Sequence, residues 1–302
     1  MKNKIIYIIL ASASIFSAKA QQEAHFTQFA DNQLFVNPAY AGSNEILNAT
    51  VLHRQQWVGF TGAPQTSTFS MHSPLSYESV GLGITMVSDQ IGPLSQNMIY
   101  GDFSYTLKFN NQSKLAFGMK AGMNVININS SELSTATEND PNLLKDVRNQ
   151  VNPNLGFGVY YHSKNWFFGA STPKIFESSY DQTSLNIEQR HFFVNAGTVL
   201  KAGSNLKLRP MVQAKFTEGA PLSLDAAITG IIQERVFIGA MYRLNAAGGF
   251  FVQYQLAPTF RIGVGTEIGL TEIRKYNDGT FELMLSYDLA RSKTGIKSPR
   301  YF

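Results

Sequence analysis

Residues 115–125, LAFGMKAGMNV, carry an apolar residue or Ala at every odd position, from Leu115 through Phe117, Met119, Ala121 and Met123 to Val125. Gly118, Lys120, Gly122 and Asn124 fall between them. A side-chain period of two predicts a β-strand with one apolar face. At Ile126 the phase slips by one, which predicts a bulge near the strand's end or a strand that stops at Val125. The alternation returns at Phe281, Leu283, Leu285, Tyr287 and Leu289, and again at Leu206, Leu208, Pro210, Val212, Ala214 and Phe216.

About fourteen such segments can be placed between residues 46 and 290, starting near Ile46, Gln65, Ser79, Ser95, Ser113, Asn152, Asn165, Arg190, Asn205, Pro221, Arg235, Ala247, Thr259 and Gly279. Most approach the roughly 9–11 residues with which a tilted strand crosses a bilayer. A soluble sandwich also alternates, so loop lengths are the second test. The two longest connections, near 129–151 and 172–189, both follow odd-numbered strands, whereas tight polar turns at 110–113, 162–165 and 202–205 follow even-numbered ones. That sorting predicts an all-β, outer-membrane β-barrel of about fourteen antiparallel strands, with long loops outside and short turns in the periplasm. The loop around Pro141 to Val147 is where helical turns are most expected.

In a barrel the apolar series faces lipid and the other series faces the lumen. Gly81, Gly83, Gly118, Gly122, Gly156, Gly158, Gly263 and Gly265 then lie on the inner face, where curvature is the simpler reading and room for an occupant the alternative. Trp57, Tyr161, Trp166, Tyr242, Tyr254 and Tyr287 are candidates for interfacial girdles. Lys207, Arg209, Lys215, Asp225, Arg243, Arg261, Glu267, Glu282 and Asp288 also fall inside. Their mixed signs favour cross-strand ion pairs over a selectivity filter.

Composition narrows the class further. The first twenty residues, MKNKIIYIILASASIFSAKA, read as a secretory signal peptide ending in Ala18-Lys19-Ala20, with the mature chain beginning at Gln21. The formal net charge is +4, from 25 cations and 21 acids. Removing Lys2, Lys4 and Lys19 leaves 22 cations, or +1. Arg291, Lys293, Lys297 and Arg300 lie in the last twelve residues, so residues 21–290 carry 18 cations against 21 acids, which disfavours a nucleic-acid partner. Charged residues are 15% of the chain against about 25% in ordinary soluble domains, and there is no cysteine for disulfides or an acyl anchor.

No reaction is legible. His25, His53, His72, His162 and His191 have no metal-ligand spacing, and neither HExxH nor GxSxG occurs. The glycines of GLGITMVSDQIG lie in a strand pattern and open no helix, so they are no nucleotide loop. The expectation is a protein that is not an enzyme, without catalytic residues, cofactor or metal. The basic tail ARSKTGIKSPRYF is either solvated or docked on a periplasmic partner or acidic headgroups.

Several stretches together resemble one family. HFTQF at 25–29, NPAYAG at 37–42, RQQWVGFTGAPQT at 54–66, SPLSYESVGLGITMVSDQIGP at 73–93 and SPRYF at the end are similar to the PorP/SprF family of type IX secretion system membrane proteins. The resemblance implies an outer-membrane barrel of Bacteroidetes-type bacteria, needed for export or surface attachment of particular large proteins such as adhesins. It also implies partners: exported substrates engaged through their C-terminal regions, a periplasmic peptidoglycan-linked lipoprotein, the secretion motor and outer-membrane lipid. A passive channel for small solutes is the rival function, and an outer-membrane hydrolase a distant third. The expected organisation is a signal peptide over 1–20, a periplasmic or plug-like lead-in over 21–45, the barrel over 46–290 and the basic tail over 291–302. Within NPAYAG, Pro38 fixes its own φ, biases Asn37 towards an extended conformation and leaves Gly42 to turn, giving a rigid corner before the first strand. Asn37, Pro38, Tyr40, Arg54, Gln56 and Trp57 are taken as one unit, either a brace for the N-terminus, the preferred reading, or part of a lumen plug or partner surface.

Overall fold

The computed structural model describes residues 23–75, 79–129, 146–177 and 189–289. The leader, most of the expected helical turns at 141–147, the greater part of the two long loops and the basic tail lie outside these residues. The strands are β1 (Leu47–Gln55), β2 (Gln65–Pro74), β3 (Val80–Ile91), β4 (Leu94–Lys108), β5 (Lys114–Ile128), β6 (Val147–His162), β7 (Trp166–Thr172), β8 (His191–Thr198), β9 (Leu200–Lys201), β10 (Leu206–Thr217), β11 (Ser223–Ile232), β12 (Val236–Arg243), β13 (Ala247–Ala257), β14 (Phe260–Gly269) and β15 (Thr280–Leu289). Both β8 and β9 pair with β10 and are separated only by Val199, so fifteen segments make fourteen wall positions.

Each wall strand pairs antiparallel with its neighbours in sequence, and β1 closes the ring on β15 from Leu47↔Leu289 to Gln55↔Phe281. A ring has no free edge to satisfy at the seam, which is what lets strands stand in lipid. The wall is uneven in height, because β4, β5 and β6 run 15, 15 and 16 residues where β1 has nine. One end carries the short turns and the other the long connections.

Alternation places the faces as the pattern requires. In β5, Phe117, Met119 and Met123 are exposed, while Ala116, Lys120 and Asn124 are buried inside. The turn end carries an outward aromatic row of Tyr105, Trp166, Tyr254 and Tyr287, with the Tyr161 ring 5.0 Å from that of Trp166. Tyr242 stands near the loop end, and Trp57 is half-buried in the loop after β1 rather than in a girdle.

Two local expectations are corrected. The phase of β5 does not slip, because Ile126 stays on the inner face and is fully buried there. The bulge lies on the partner strand instead, where Arg148 and Asn149 oppose Asn127 and Asn149 adopts φ 52°. The Asn149 amide donates to Asn127 Oδ1 at 2.8 Å. This bulge carries β6 upward to Val147, so the strand begins five residues before the expected Asn152, whereas the other strands start within two residues of their expected positions.

Val252, at the middle of β13, is 46% exposed on the outer face. Val252→Arg should cost about 2–4 kcal/mol in lipid vesicles, the penalty for a cation at the bilayer midplane, as read by urea unfolding.

Candidate functional site

The lumen is filled by the chain's own residues 23–46. This segment has no long helix and no strand. A 3₁₀ turn at Phe29–Asp31, one α turn at Gln33–Val36 and a second 3₁₀ turn at Pro38–Tyr40 carry it along the barrel axis. Glu23 lies at the loop end, and the chain descends to Gly42 at the turn end before entering β1 at Leu47.

Apolar side chains hold the middle of it. Phe26, Phe29, Ala30, Phe35, Val36 and Ala39 share one buried cluster with Leu52, Met98, Tyr100, Tyr160, Phe167 and Met241 of the wall. The Phe26 and Phe35 rings meet edge to face at 5.4 Å. Each such side chain contributes about 1.5–3 kcal/mol on leaving water, so expelling three Phe and their neighbours would cost on the order of 10 kcal/mol. A water-filled pore has no such core.

Charges anchor the segment at the loop end. The Glu282 carboxylate accepts from the backbone amides of Thr27 at 2.5 Å and Gln28 at 3.1 Å. It also accepts from Arg54 Nη1 at 2.6 Å, while Arg54 Nη2 donates to Glu267 at 2.9 Å. Arg243 bridges onward from Glu267 at 3.0 Å to Asp225 at 2.9 Å. Asp225 faces His25 at 3.4 Å, and Lys215 donates to the other ring nitrogen of His25 at 2.6 Å. Glu23 pairs with Lys174 at 3.3 Å. Arg54 is 0% exposed, and several kcal/mol of desolvation per buried ion is offset here by paired carboxylates. Asp225, Arg243, Glu267 and Glu282 therefore do pair across strands, with Arg54 among them, and the same ladder grips the filling. Nearer the turn end, Asp31 takes Arg209 at 3.2 Å, Arg261 at 3.3 Å and Gln253 at 2.8 Å.

The inner glycines explain how the backbone fits. A Cβ on Gly118 would lie 2.1 Å from Ala39 N, one on Gly81 2.1 Å from Ala41 O, and one on Gly158 2.0 Å from Asn37 Oδ1. Gly83, Gly263 and Gly265 face Leu34 and Gln28. Five of the eight thus clear space for the filling, Gly265 having room for a Cβ at ordinary contact, which corrects the simpler reading of curvature. Gly122 is crowded by Ile99 and Tyr100 of the neighbouring strand, and Gly156 by Pro173, so those two do not.

The six candidate residues separate into three places. Asn37, extended at φ −132°, ψ 108°, caps the Pro38–Tyr40 turn by accepting from Ala39 N at 3.0 Å, and its Nδ2 donates to Val159 O at 3.0 Å. Pro38 is buried against Gly118 and Gly158. Tyr40 donates to Asn44 at 3.1 Å and meets Tyr160 and His72 edge-on. Gly42 makes the turn at φ 74°, its amide donating to His72 Nδ1 at 3.0 Å. Arg54 points into the lumen at the opposite end, onto Thr27 and the two glutamates. Only Gln56 and Trp57 belong to the loop at the mouth. The Gln56 amide donates to Pro64 O at 2.9 Å, and Trp57, at φ 44°, packs on Phe60. Asn37, Pro38 and Tyr40 are brought together, as are Gln56 and Trp57; Arg54 stands apart from both groups. Missed by sequence reasoning were Lys120, which holds Asp102 at 3.1 Å and Leu34 O at 3.2 Å, Ser104, which donates to Ala41 O at 2.6 Å, and Ser171, which donates to Val36 O at 2.8 Å.

The chain is similar to one sequence family and, distantly, to several solved structures. The sequence model of the family described as "Type IX secretion system membrane protein PorP/SprF" matches residues 18–287. Among solved structures, the outer membrane protein Omp33 of Acinetobacter baumannii is similar over 81% of this chain and 98% of its own, at 9% identity and a TM-score of 0.49. A deletion mutant of TodX, described as a monoaromatic hydrocarbon channel, is similar over 85% and 94%, at 11% identity and a TM-score of 0.46. OmpF of Salmonella typhi, solved with daunomycin, is similar over 82% and 99%, at 8% identity and a TM-score of 0.38. No curated protein sequence matches.

Gly118→Val should destabilise the folded barrel by about 3 kcal/mol or more, since backbone must move to admit the side chain. Gly101→Ala, whose new Cβ would have its nearest contact at 3.9 Å, is the tolerated control in the same urea titration. Glu282→Gln should cost about 3–5 kcal/mol by leaving Arg54 half-compensated, and combining it with Arg54→Met should cost less than the sum of the two single changes.

Proposed function

Because this chain belongs to the PorP/SprF family of type IX secretion system membrane proteins, we propose that it supports export or surface attachment of particular exported proteins, adhesins among them, and does so without conducting solutes. The observation that carries this reading is the filled lumen. A barrel whose axis is occupied by its own apolar core and ion-pair ladder offers partners its two ends and its outer wall instead of a passage. Exported substrates would meet the loop end through their C-terminal regions. The turn end would face the periplasm and a peptidoglycan-linked lipoprotein of the secretion system.

The six candidate residues take structural roles in this proposal. Asn37, Pro38 and Tyr40 hold the descending segment against β5 to β7, while Arg54 secures its upper part. Gln56 and Trp57 shape the loop at the mouth, where a partner contact is open to them.

A passive channel for small solutes requires a continuous aqueous path, and the packed cluster argues against one. Purified protein in planar bilayers should therefore give no stable open-pore conductance. Deletion of the gene should remove a defined subset of surface or medium proteins from the proteome while general outer-membrane proteins stay constant. Unchanged surface adhesins would overturn the secretion role, and a steady large conductance would return the channel reading.

A further inference from the structure

Below the anchored segment, at the turn end, lies a cavity of about 260 Å³ inside the wall. Its polar side includes Asn48, Ser70, Glu234 and Asp288, and its apolar side Leu34 and Phe237. Two arginines on its wall, Arg209 and Arg261, are taken up by Asp31. Asp288 differs. Its carboxylate accepts from Asn48 Nδ2 at 2.6 Å, and among the described residues no lysine or arginine pairs with it.

β15 ends at Leu289, one residue past Asp288, so the described wall ends beside this cavity. Residues 290–302 contain Arg291, Lys293, Lys297 and Arg300 and no acid, together with the apolar Ile296, Tyr301 and Phe302. Ser70 lines the cavity two strands from Ser286, through Thr50, or about 10 Å at ordinary strand spacing. Nine extended residues beyond Leu289 reach up to about 30 Å, so Ser298 can return to Ser70 with slack.

We propose that the cavity is a docking site for the chain's own basic tail, residues 291–302, which folds back to the turn end and sets a cation on Asp288. This inference rests on the barrel and its charges and stands or falls separately from the secretion role.

The absence of cysteine makes the test direct. Ser70→Cys in the mature barrel, purified in detergent and shown folded by heat-modifiable migration, should react with a water-soluble maleimide about tenfold more slowly than the same variant lacking residues 291–302, the effect of ~1.4 kcal/mol of docking. Asp288→Asn should raise the rate in the full chain and leave the truncated chain unchanged. Ser70→Cys combined with Ser298→Cys should form a disulfide within one chain, and Asn48→Cys with His72→Cys, partners in strand register, serves as the positive control. Equal labelling with and without the tail would overturn the proposal. So would a Ser70→Cys/Ser298→Cys product that runs as a dimer, or one that fails to form while the control pair closes.

Discussion

Wall positions without a Cβ admit residues 37–42 directly against the sheet, and the rest of the structure depends on that approach. Gly81, Gly118 and Gly158 let Ala41, Ala39 and Asn37 lie against the sheet itself instead of against side chains. Only then do Asn37 Nδ2 and Ser104 Oγ come within reach of Val159 O and Ala41 O, and only then does the apolar cluster close around Phe35 and Val36. A side chain at any of the three would lift the segment into the space its own core occupies. The packing is that of a soluble protein's interior, turned inside a shell whose outer surface meets lipid.

Polar groups then set the position of the segment along the axis. Hydrophobic contacts are permissive about sliding, whereas a carboxylate that accepts from two consecutive amides is not. Glu282 fixes Thr27 and Gln28 in this way, and Asp31, one turn further along, is held between Arg209 and Arg261. Buried ions are weak contributors to net stability, and their service here is to select one register from several that would bury similar apolar area.

Much of the wall was legible in the sequence, because a period of two survives wherever lipid selects one face. Phe117, Met119 and Met123 announce their face without help from any neighbour. The start of β6 was not legible, since Asn149 extends the strand through a positive φ that leaves no mark on the hydrophobic pattern. Ile126 misled for the opposite reason: it is apolar on an inner face that the alternation assigns to polar groups, and it is buried there. The filling was legible only in outline. Phe26, Phe29, Leu34 and Phe35 follow neither a helical nor a strand period, so their common burial appears only once the sheet encloses them. The inner glycines are the available signal, but in a sequence curvature alone accounts for them equally well. Likewise Arg54 stands two residues from Gln56 in sequence, yet Arg54 lies within β1 and turns into the lumen onto Thr27, whereas Gln56 lies past the strand's end in the loop.

The seam between β1 and β15 joins the first strand of the wall to the last. A cylinder with that seam stays an open sheet until its final strand is delivered, and residues 23–46 precede all of it. Threading so bulky a segment into a finished ring is therefore unnecessary. The sheet can curl around a core already laid on its concave side, making closure and filling a single cooperative event in which the contents template the container.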